Sequence, residues 1–178
     1  MVEKDKKNVD RLSQIANAAE VYGQRSFDNY AQIRSLAETL RDELCAWLSP
    51  DDQCVYLVPP EGPFGAQNYR SGAYSVTGTG YLPLKPISFG LAVKISHDKD
   101  FMRLKLTCRK EGEHMYVGID DTGRELRVDL PASKDSLLAL FESIYGHILD
   151  YFKDSVDAYD NGEYGSTEIG FDIQRVDE

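Results

Sequence analysis

Between Ile87 and Leu130 the chain alternates apolar and polar residues in four successive runs, and no other feature limits its fold so strongly. Ile87, Phe89, Leu91, Val93 and Ile95 interleave with Ser88, Gly90, Ala92, Lys94 and Ser96. Leu104, Leu106 and Cys108 interleave with Arg103, Lys105, Thr107 and Arg109. Met115, Val117 and Ile119 alternate with His114, Tyr116 and Gly118, and Leu126, Val128 and Leu130 with Glu125, Arg127 and Asp129. A period of two belongs to strands, whose side chains point alternately to opposite faces. The intervening turns, at 97–100, 111–113 and 120–123, are short enough only for hairpins. The pattern therefore predicts an antiparallel meander with one apolar face and one charged face turned to water. No helix interrupts the run, so a ferredoxin-like order is disfavoured.

On either side the period changes to that of a helix. Val9, Leu12, Ile15, Ala16, Ala19 and Tyr22 form a stripe, with Asn8 as cap and Gly23 as stop. Ser26 then suits the start of a second helix, whose stripe runs Tyr30, Ile33, Ala37, Leu40, Leu44, Trp47 and Leu48 before Pro50. A hairpin of two helices and one long helix are both compatible with so short a break. Cys54–Val58 reads as a strand, and Ser71–Thr77 as another within a Gly/Pro/Tyr-rich loop over 61–86. After Pro131, Ser133 caps a helix over 133–160 with a wide apolar face: Leu137, Leu138, Phe141, Ile144, Tyr145, Ile148, Leu149, Phe152, Val156 and Tyr159. That face is the natural cover for the apolar side of the meander. Residues 167–174 suggest a final strand, with Ile169, Phe171 and Ile173 on one side, and a fraying tail from Gln174 onward.

The expectation is a single α+β domain over 1–178. Two N-terminal helices in a helical arm or hairpin (8–49) precede an antiparallel β-meander of at least four strands within 54–130. A long C-terminal helix packs on one face, and a possible final strand follows. Edge strands and the helical arm need covering, which makes a homodimer the expected assembly, with Tyr30, Leu40, Leu44 and Trp47 as its interface if the core leaves them free.

Charge narrows the partners. Of the net −10, residues 131–178 contribute −8, from 11 acidic and 3 basic side chains. A chain so acidic lacks the basic footprint that nucleic acid requires. No run of ~18 apolar residues is present, so no membrane-spanning helix is expected. The start of the chain lacks the apolar core of a secretory signal. Three cysteines, Cys45, Cys54 and Cys108, without a CxxC spacing, suggest reduced thiols and a cytoplasmic protein.

No catalytic set stands out. His97, His114 and His147 lack metal-ligand spacing, so neither a metal nor another cofactor is expected. Asp157–Gly162 with Glu168 approaches a calcium loop, but Tyr159 stands where a carboxylate belongs. There is no GxSxG elbow, and Gly78-Thr79-Gly80 precedes prolines where a phosphate cradle needs a helix. The parity of the meander separates Cys108 from His114. Two regions carry surface chemistry. Phe64, Tyr69, Arg70, Tyr74 and Tyr81 lie on the Gly-rich loop, a composition favoured at binding hot spots. Asp150, Asp154, Asp157, Asp160 and Glu163 make an acidic region at the end of the last helix. There the helix dipole is itself negative, so these acids sit against a local electrostatic cost.

The functional expectation is a non-catalytic intracellular binding protein of adaptor, chaperone or immunity type. Its acidic C-terminal surface would meet a basic protein partner. The alternative is a small enzyme or ligand-binding sensor that uses loop 61–86. The chain is similar to bacterial secretion chaperones and toxin-immunity proteins in size, charge and general element types alone, and no residue roles follow from that.

Overall fold

The computed structural model describes residues 10–76, 78, 80–120, 122–163 and 172–176. Helix α1 spans Arg11–Leu48 without interruption. At 38 residues it is about 57 Å long. Two helices were expected here, and one forms. A glycine inside a helix costs only about 1 kcal/mol relative to alanine, and Gly23 lies under the ring of Tyr81, where a Cβ would come within 3.3 Å. Ser26 does not cap a new helix. It is buried in the middle of α1, and its hydroxyl donates to the Gly23 carbonyl at 3.0 Å. The cap is Asp10, whose carboxylate accepts from the Leu12 N–H at 3.2 Å; Asn8 lies outside the described residues.

Strands β1 (Val55–Val58), β2 (Ile87–Lys94), β3 (Asp100–Glu111), β4 (His114–Ile119) and β5 (Glu125–Val128) are ordered 1-2-3-4-5, each antiparallel to the next. The register sets apolar residues directly opposite one another. Val55 faces Val93, which faces Met102; Leu57 faces Leu91, which faces Leu104; Phe89 faces Leu106, which faces Ile119. Ser71–Ala73 is a 3-10 turn and not a strand, and only Tyr74 makes an isolated bridge, to Phe89. Thr77 lies outside the described residues.

Helix α2 (Lys134–Asp160) is capped by Ser133, whose hydroxyl oxygen accepts from the Ser136 N–H. Ile33, Leu36, Ala37, Leu40 and Leu44 of α1 join Leu137, Leu140, Phe141 and Ile144 of α2 against the apolar face of the sheet. The core thus takes up Leu40 and Leu44, so the expected dimer interface on that stripe is not free; Tyr30 is half-buried and Trp47 remains 38% exposed.

The opposite face is not all turned to water. Residues 59–66 fold over it and form a small second core of Val58, Phe64, Ala92 and Phe101. Arg103, one of the polar residues of the alternation, is buried there. Its guanidinium donates to the carbonyls of Pro59 and Gly62 and lies 5.0 Å from the centre of the Phe64 ring. Strand β6 (Asp172–Arg175) pairs with the first residues of β3. The tail does not fray at Gln174. Its amide oxygen accepts from the Phe64 N–H, and Arg175 pairs with Asp100 at 2.9 Å. Ile169 and Phe171 lie outside the described residues.

Candidate protein-docking face

The second half of α2 is longer than the surface that it covers. Beyond Ile144 none of its residues is fully buried, and Ile148 and Tyr151 are half-buried against the core. Yet Tyr145, Leu149, Phe152, Val156 and Tyr159 continue along it, between 37% and 67% exposed. Their spacing of four, three, four and three residues places them within an arc of about 80° at 100° per residue. On one side of this stripe lies the core face, Leu137, Leu140, Phe141 and Ile144. On the other, Asp160 lies at the edge of the stripe, followed around the helix by Lys153, Asp157 and Asp150, with Asp154 opposite the stripe and Glu163 past the helix end. Lys153 is the only Lys or Arg between Tyr145 and Glu163. Around the helix the order is therefore core, exposed apolar stripe, acid.

Beside the stripe runs an open groove of about 580 Å³. Tyr145, Leu149 and Phe152 form one wall, and Leu48, Val93 and Ile95 are among the residues opposite. Trp47 of α1 packs on α2 nearby, with its ring 5.7 Å from Tyr145 and 5.8 Å from Phe141. Cys54 also lines it and is joined by a disulfide to Cys45, near the end of α1, with Cα atoms 5.4 Å apart. The sequence suggested reduced thiols; the fold instead brings these two together where α1 turns into β1.

The loop aromatics do not converge on one site. Phe64 is buried under Arg103, and the Tyr69 hydroxyl accepts from the Gly65 N–H at 3.0 Å. Tyr74 lies on the other side of the sheet, buried between Tyr30 and Phe89. Burial pushes its phenol well above its ordinary range. Tyr81 is exposed and rests against Tyr22 of α1, while Arg70 is exposed ahead of the 3-10 turn.

Cys108 is fully buried in β3, and burial pushes its thiol up to about 12, so it is not a poised nucleophile. His97, His114 and His147 fall in a turn, a strand end and a helix. Among the described residues no three His, Cys, Asp or Glu side chains gather as a metal site. Glu168 of the calcium-loop pattern lies outside them. No helix among them is long and apolar enough to cross a membrane.

Sequence reasoning placed the acids but missed the stripe beside them, because it assigned every apolar residue of α2 to the core. The signal was present in the strict alternation of three and four from Tyr145 to Tyr159, which is narrower than a core-facing arc. Comparison with protein-family models, with curated proteins and with solved structures finds no match.

Proposed function

We propose that the protein is a non-catalytic binding module whose α2 docks an amphipathic protein segment carrying basic residues. The observation that supports this reading is the exposed stripe Tyr145–Tyr159 with acids along its outer edge. Exposed apolar surface with a polar rim marks interaction sites. Aromatic residues such as Tyr145, Phe152 and Tyr159 are favoured as interface anchors. A helix laid along the stripe would bury its apolar face there and turn its cations toward Asp160 and Asp157, the acids on the stripe's side of the helix. Such charges chiefly raise the rate of encounter.

A photo-crosslinking residue in place of Phe152 tests this in the native cell, with Lys110 on β3 as the control position. At position 152, adducts to an amphipathic segment that carries basic residues are expected, and none at 110. Equal or absent protein adducts at 152 would remove the docking reading. The cytoplasmic location expected from the sequence stands against the Cys45–Cys54 disulfide, since such bonds belong with oxidising surroundings. Thiol trapping in intact cells tests it: free thiols support a reducing compartment, and a bonded pair supports an oxidising one.

A further inference from the structure

We propose that the stripe of α2 is occupied by the free first half of α1 from a second copy of this chain, reciprocally, in a two-fold dimer. This rests on the docking reading above and names its partner.

The first half of α1 carries the matching surface. Leu12, Ile15, Ala19 and Tyr22 are spaced three, four and three, on the same line of the helix as the buried Ile33, Ala37, Leu40 and Leu44. Ahead of Ser26 no described residue of α1 is buried, and Leu12 and Ile15 are 69% and 66% exposed. Tyr22, at the inner end, rests on Tyr81. Alternation of three and four on both helices is the spacing of a coiled-coil seam.

The arrangement of the helices determines how the two seams meet. Ala31–Thr39 of α1 border a hollow together with Leu130–Ala132 ahead of α2, and Trp47 touches Phe141 and Tyr145. The two helices thus advance in the same sense, and their free halves lie at opposite ends. A two-fold axis across them reverses the second copy. At each end the free half of one α1 then lies antiparallel to the free half of the other copy's α2.

Charge disfavours self-pairing of the α2 halves. Two α2 halves would set five acids and one lysine against the same set. The α1 half is balanced, with Asp10 and Glu20 against Arg11 and Arg25. The antiparallel arrangement brings its outer end, with Arg11, toward Asp157 and Asp160. One contact of two heptads is small beside the roughly 1,200–2,000 Å² of a stable interface. The reciprocal arrangement makes that contact twice and closes the assembly.

Sedimentation equilibrium of the full chain tests the proposal. The wild type is expected at twice 20.1 kDa. Leu12→Asp/Ile15→Asp alone and Phe152→Asp/Val156→Asp alone are each expected as monomers. Mixed together they regain a dimer, because one of the two contacts is then intact, with a dissociation constant at least tenfold above that of the wild type. A variant that stays dimeric alone overturns the reciprocal pairing in favour of self-pairing through its unaltered helix. A mixture that shows no heterodimer even at the highest soluble concentration overturns it as well. A wild-type monomer overturns the dimer but leaves the docking reading, which then stands or falls on cross-linking from position 152. A cooperative urea transition of the core controls for folding, and Leu12→Ala and Phe152→Ala replace any variant that loses it.

Discussion

Two residues show how closely the sheet is fitted. Gly90 in β2 lies where a Cβ would come within 2.7 Å of the Val58 carbonyl oxygen and 2.8 Å of that of Pro59. Backbone atoms of β1 cannot yield as a flexible side chain would. Gly90→Ala is expected to destabilise the protein by about 1–3 kcal/mol, read as a lower urea midpoint with an unchanged slope. A midpoint equal to wild type would show that β1 is free to move away. Cys108 makes a pH prediction. Its thiol ordinarily ionises near 9.0, and burial raises that to about 12. The unfolded chain therefore loses this proton first. The stability contributed is complete below pH 9 and is lost as pH rises toward 12; Tyr74 shifts in the same direction. Urea unfolding of the wild type and Cys108→Ala across that window should show a steeper decline in the wild type. A thiol reagent at pH 8 should leave native Cys108 unlabelled, and rapid labelling would contradict its burial.

The elements differ in how far they could be read from sequence. The meander was legible because each of its runs obeys one period and each turn is short; Ile87, Phe89, Leu91 and Val93 all face the core. The continuity of α1 was not, because Gly23 and Ser26 carry the local chemistry of a helix break and tertiary packing overrides it. Burial of Arg103 was hidden too, since its partners Pro59, Gly62 and Phe64 lie about forty residues away in sequence. The acidic part of the docking face was legible from charge counting, whereas its apolar part needed the extent of the sheet beneath α2. The acids of α2 give a prediction at this scale. Asp154, Asp157 and Asp160 lie in the last turns of the helix, where the dipole disfavours negative charge by about 0.3–1 kcal/mol each when exposed. Asp154→Asn/Asp157→Asn/Asp160→Asn is expected to leave stability equal or higher. Association measured by stopped flow should be slower, with a weaker dependence on salt. An unchanged rate and an unchanged salt slope would reduce these acids to a solvated face.

At the scale of the molecule, two long helices lie on one face of an antiparallel sheet, and each extends past the core that holds it. A short helix without packed contacts is marginal in water. The free half of α2 therefore needs a covering partner if it is to stay helical. Hydrogen exchange along α2 in the 178-residue chain is the most direct measurement of that requirement. Amides of residues 152–160, beyond the last contacts of α2 with the core at Ile148 and Tyr151, should be protected to the same degree as those of 137–144. That protection should be lost on Phe152→Asp/Val156→Asp substitution, while 137–144 stay unchanged. Rapid exchange over 152–160 in the wild type at every concentration, or protection that survives the substitution, would show that no partner surface holds this end of the helix and would contradict the docking face.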